Sequence, residues 1–173
     1  DLVEMSRLVC TAVRHATHAL LTADIQLAEQ VISADTKIDE ATDDIERRCF
    51  SLLARQAPVA TELRTVVAAL RMVTEMARMG DLAAHVAKVA RMRYPDRALP
   101  EPLEANFARM AKIAEEMVGR AGTTLRTRNI SAAKELVKVD DEMDELRRRQ
   151  FAILLGDDWT HGIEAAVDVA LLG

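Results

Sequence analysis

The stretch LLARQAPVATELRTVVAALRMVTEMARMGDLAAHVAKVA, residues 52–90, decides the fold. Pro58 ends one helix, because proline disfavours helical backbone in the residue before it, and it suits the first turn of the next. From 59 to about 92 apolar side chains return every three or four residues, the period of a helix with one buried face. Leu63, Leu70, Ala77 and Asp81 fall within about 40° of one another at 100° per residue. Large side chains at Met76, Met79, Leu82, Val86 and Val89 then move to another side. Inside this rod the Gly80–Asp81 pair is expensive. Gly costs about 1 kcal/mol against Ala in a helix interior, and Asp is a poor helix former. An acid on a stripe that has been apolar needs a partner.

Outward from this rod, the same periodicity predicts five more helices. The first covers about 2–21, with Leu2, Met5, Val9, Ala16 and Leu20 on one face. Asp24, in the turn TAD, is placed to cap the second, about 25–56. Its buried face is Val31, Ile38, Ile45, Cys49 and Leu52, and the turn QAP at 56–58 closes it. YPDRALPEP, 94–102, holds three prolines and reads as a linker. Beyond it lie a helix over about 103–127, a turn capped by Asn129, a helix over about 131–155, and a sixth from near 159 to 173. Trp159 reads as a cap on the bundle. Short turns between long helices force antiparallel neighbours.

The two halves resemble each other. An offset of 105 sets Leu20 on Leu125, Ile25 on Ile130, Asp35 on Asp140, Asp39 on Asp144 and Glu40 on Glu145. The fold class expected is therefore all-α: two tandem antiparallel three-helix bundles related by an internal repeat, 1–93 and 102–173, the second truncated. The chain opens on Asp and stops in the apolar run AAVDVALLG, so the natural protein is expected to extend past both ends.

Composition narrows the function. Half of the 173 residues are apolar but only 3% are aromatic, and the net charge is −5 with acids and bases interleaved. No basic arm is present, which argues against nucleic-acid binding. Cys10 and Cys49 lack metal or redox spacing and read as buried, reduced thiols of a cytosolic protein. No apolar run reaches the roughly 18 residues of a membrane span.

Asp35 and Asp39 share a face of the second helix at i, i+4. Counting equal depths from the turn at 57 places Asp81 of the antiparallel third helix at their level, with His85 one turn on. Two readings stand. One is a site for a hard or borderline cation, since carboxylates suit Mg²⁺ or Mn²⁺ and a histidine adds Zn²⁺ or iron. The other is a solvated acidic face with ion pairs to Arg78 or Lys37. A ferritin-like di-iron site is excluded, because it needs Glu-x-x-His pairs and no Glu here is followed three residues later by His.

Residues 52–90 resemble the PhoU family of phosphate-uptake regulators. The Pro-x-Ala-x-Asp/Glu-Leu-Arg opening is Pro58, Ala60, Glu62, Leu63 and Arg64; the Glu-Arg-x-Gly-Asp motif ends in Arg78, Met79, Gly80 and Asp81. DTKIDEATDDIE and DDEMDELRRRQFAILL look like the family's two acidic repeats. The resemblance implies a cytoplasmic, non-enzymatic, often dimeric protein that restrains phosphate uptake and the phosphate-starvation response. The partners it implies are the ATPase subunit of the phosphate ABC transporter and a sensor histidine kinase, so that the membrane is reached only through them. It also implies metal ligands at Asp35, Asp39 and Asp81, with Asp140 and Asp144 as the second copy, for a divalent or trivalent ion (Zn, Fe, Mg or Mn); the placement of His85 one turn past Asp81 adds it as a further candidate ligand. The chain departs from the family at Ala77, where the motif has an acid. The alternative is a metal-binding helical bundle with a structural or storage role.

Overall fold

In the computed structural model, which describes every residue except Ala57, six helices follow one another: α1 (Leu2–Thr22), α2 (Ile25–Gln56), α3 (Thr61–Arg93), α4 (Glu101–Thr127), α5 (Ile130–Leu154) and α6 (Gly162–Leu172). No strand occurs among the described residues. The caps are local and do what their chemistry requires. Asp24 Oδ1 accepts from the Leu27 N–H at 3.0 Å, and Asn129 Oδ1 from the Ala132 N–H at 3.1 Å, satisfying amides that a helix start leaves without partners. α1 ends on Ala23 in the left-handed region, whose N–H returns to the Ala19 carbonyl.

Three boundaries differ from expectation. α3 begins at Thr61, with Ala60 as its cap, so Pro58 lies before the helix and not in its first turn. α4 begins two residues early because Pro102 is accommodated in its first turn. α6 begins at Gly162: the Trp159 indole N–H donates to the Gly162 carbonyl at 3.0 Å, which folds 159–161 into a turn. The turn read at QAP includes Ala57 and lies partly outside the described residues.

α1, α2 and α3 pack on one another, α1 packs on α4, α4 on α5, and α5 on α6. Two apolar clusters fill them. One joins the start of α1 to the ends of α2 and α3 nearest their connection, through Met5, Val9, Ile38, Ile45, Val66 and Val73. The other joins Leu20, Val31 and Ala87 to Leu99, Leu103 and Phe107. The linker is thus pinned, with Ala98 and Leu99 buried. Leu52, expected on the buried face of α2, is 41% exposed. α1 and α4 cross antiparallel: Gly122 lies on Ser6 and Gly119 on Cys10, while Arg14 reaches Glu115 at 3.7 Å. Cys10 also lies against the carbonyl of Glu115, its own counterpart at the offset of 105. The contacts Arg14–Glu115 and Cys10–Gly119 exchange under that same offset, so the crossing has approximate two-fold symmetry.

Candidate functional site: an acidic face between α2 and α3

Gly80 sets the site. It is buried against Ile38: a Cβ there would stand 2.9 Å from Ile38 Cδ1, 3.1 Å from Cγ2 and 3.6 Å from Asp35 Oδ1. Lacking a side chain, it lets α3 lie close on α2 and brings Asp81 to the level of Asp35 and Asp39. The electrostatics report the same proximity. Burial pushes the half-buried Asp35 carboxyl up, the charges of Asp39 and Asp81 push it further, and Lys88 pulls it back. Asp39 and Asp81 are themselves exposed.

The cations differ from those expected. Arg78 turns to Glu75 on its own helix, at 3.2 Å. The cation acting on Asp35 is Lys88 and not Lys37. Lys88 was legible in principle: it lies seven residues beyond Asp81, two turns along the same face. His85 is half-buried, and Asp140 and Asp144 are exposed on α5. Among the described residues, no three His, Cys, Asp or Glu side chains stand where they could hold one metal ion. In kind, the donors Asp35, Asp39 and Asp81 suit a hard cation. As placed, they do not close into a ligand set.

Asp140 has a different neighbourhood from its counterpart Asp35. With Met110, Ala114, Met117, Met143 and the end of α6 it lines an apolar groove of about 420 Å³ that also touches α1 and α3. Both cysteines are free, and burial raises both thiols, so they stay protonated at neutral pH.

The pattern of the PhoU domain matches residues 2–90 and again 107–169. The chain belongs to the PhoU family. Its PhoU relatives include a phosphate-specific transport system accessory protein, PhoU homolog 2, of Mycobacterium tuberculosis. The two are 46% identical over 169 residues, which is 98% of this chain and 79% of that protein. PhoU homolog 1 of Mycobacterium leprae is 46% identical over 172 residues, 99% of this chain and 78% of that one. Among solved structures, the phosphate transport system regulatory protein PhoU of Streptococcus pneumoniae superposes with a TM-score of 0.85 at 24% identity. That match covers 99% of this chain and 80% of the other, and it shows a shared PhoU fold. No helix among the described residues is long and apolar enough to cross a membrane.

Proposed function

We propose that this chain is a cytoplasmic regulator of phosphate uptake and phosphate-starvation signalling that works by protein contact, as a homodimer. Its partners in this reading are the ATPase subunit of the phosphate ABC transporter and a sensor histidine kinase, and it restrains transport when phosphate is plentiful. The observation that carries the reading is the match, over 98–99% of this chain, to relatives named as accessory proteins of phosphate-specific transport. The surface supports it. Arg64 and Arg71 lie on the exposed side of α3 at seven-residue spacing and make no ion pair among the described residues, leaving two cations for acids of a partner. The test is a pull-down with the transporter ATPase from phosphate-rich and phosphate-poor cells. Recovery under phosphate-rich conditions, weakened in Arg64→Glu/Arg71→Glu, is the expected result. No recovery under either condition counts against it.

A second reading, a metal-binding bundle with a structural or storage role, draws on one feature: a cation would relieve the mutual repulsion of Asp35, Asp39 and Asp81. Metal analysis of the purified protein and of its Asp35→Asn, Asp39→Asn and Asp81→Asn variants decides it. Metal present in the parent and lost in the variants supports this reading. Equal contents across the set remove it.

A further inference from the structure

Asp35, Asp39 and Asp81 repel one another on a face that has a cation of its own. Gly80 lets α3 settle on Ile38, and a Cβ at Gly80 would stand 3.6 Å from Asp35 Oδ1, so that carboxylate sits at the seam of the two helices. The charges of Asp39 and Asp81 both act on it. A metal ion is poorly served here. Zn²⁺ and Mg²⁺ both demand converging donors, and among the described residues no three His, Cys, Asp or Glu side chains converge on one point. One turn before Asp81 on the same stripe stands Ala77, whose methyl packs with the cluster of Ile38 and Val73 and offers no donor atom.

Lys88 answers the charge better. It lies seven residues beyond Asp81, about 10 Å along α3 and back on the same face. Its Cα–Cβ bond tilts toward the start of the helix, which sends its flexible four-carbon stem back toward Asp81. Ala84, between them on that side, is buried and presents only a methyl. The Lys88 side chain is exposed. Among the described residues it makes no direct ion pair, with these acids or any other, so its charge acts across the face and not on one oxygen. Among the charges that act on Asp35 it is the positive one, while Arg78 is turned to Glu75.

We infer that Lys88 is the counter-cation of this face: its ammonium does for Asp35, Asp39 and Asp81 what a metal ion would do, and α2 is held on α3 without one. Three residues divide the work. Gly80 brings the helices together, Ala77 withholds a donor, and Lys88 supplies a positive charge that is tethered to the chain and cannot be removed by a chelator. The first three helices then keep their register whatever the supply of metal. Lys88 in this role opposes the storage reading above and is independent of the choice of partners.

The test compares the protein with Lys88→Met, which keeps an apolar stem and drops the charge, and Lys88→Arg, which keeps the charge. The parent is expected to purify without stoichiometric metal and to melt at one temperature in chelator and in Mn²⁺ or Zn²⁺. Lys88→Met is expected to melt roughly 1–3 °C lower, the size of an exposed charge interaction in a chain of this length, and Lys88→Arg with the parent. The loss should shrink by at least about half in an Asp35→Asn background. It should shrink likewise in about 1 M salt, where screening acts within about 3 Å. Stoichiometric metal in the parent, removed by chelator with a fall in melting temperature, overturns the inference and supports the storage reading. Lys88→Met melting with the parent overturns it too. So does a loss that arginine does not restore, or one that Asp35→Asn and salt leave unchanged, since either marks packing of the stem and not charge.

Discussion

At the scale of single residues, the glycines and the half-buried acid carry opposite instructions. Gly119 sits mid-helix in α4, where an added Cβ would meet only Cys10 Sγ at 4.0 Å. Gly119→Ala should therefore stabilise the protein by about 0.5–1 kcal/mol, the helix penalty of glycine. Gly80→Leu should cost roughly 1–3 kcal/mol, because its branch must displace the buried, χ1-stiff Ile38. Urea midpoints of the two variants should move in opposite directions. Asp35 makes a pH prediction. Its carboxyl is raised, by burial first and then by Asp39 and Asp81, so the folded state holds that proton more tightly than the unfolded chain. The stability this protonation provides is complete below the ordinary carboxylate range and is lost as pH rises through the raised value. Asp35→Asn should thus gain about 0.2–0.5 kcal/mol at neutral pH, the size of an i, i+4 like-charge repulsion. The gain should vanish near pH 3, where carboxyls are protonated. Urea unfolding at both pH values checks it, and an equal gain at both would refute the repulsion.

At the scale of the element, the helices were readable because their signals are local. Asp24 and Asn129 announce helix starts by side-chain chemistry alone, and the structure shows both caps made. Asp24→Ala should lower stability by about 1 kcal/mol, the usual worth of an N-cap oxygen. Asp24→Asn, which keeps the acceptor, should lose much less, and thermal melts of the pair distinguish capping from charge. The misplaced starts have equally physical causes. A proline fits the first helical turn and the residues just before it alike, so Pro58 could not say which. The delay of α6 depends on the Trp159 indole finding the Gly162 carbonyl, a contact no period reveals. Leu52 was misassigned for a related reason: periodicity says which face a side chain lies on, not how far along that face a neighbour extends.

At the scale of the whole molecule, the register of α2 against α3 was legible, because equal counts from a shared turn give equal depth in an antiparallel pair. That reasoning brought Asp81 to Asp35 and Asp39. It could not supply Lys88 as the cation acting on Asp35 or close the carboxylates into a ligand set, since both depend on side-chain direction. Contacts between distant helices were not legible at all. Asp168 reads as one acid in the apolar run AAVDVALLG, and its partner is 75 residues away. The Arg93 Nε–H donates to Asp168 Oδ2 at 2.5 Å and Nη1–H to Glu164 Oε2 at 2.8 Å, with Asp168 only 4% exposed. These bonds tie the end of α3 to α6 and hold the arginine well above its ordinary value, the hydrogen bond to Asp168 being the largest cause. A buried charge that loses its partner is destabilising in itself, whereas removing both charges together can be close to neutral. Arg93→Leu alone should therefore lower the urea midpoint clearly. Arg93→Leu with Asp168→Leu should recover most of the loss, because no unpaired carboxylate is left inside. If the double variant instead shows the sum of the two single losses, the pair is not coupled across the helices, and α6 is held in place by Val169 with its apolar neighbours and by the Gln150 amide that donates to the Val169 carbonyl.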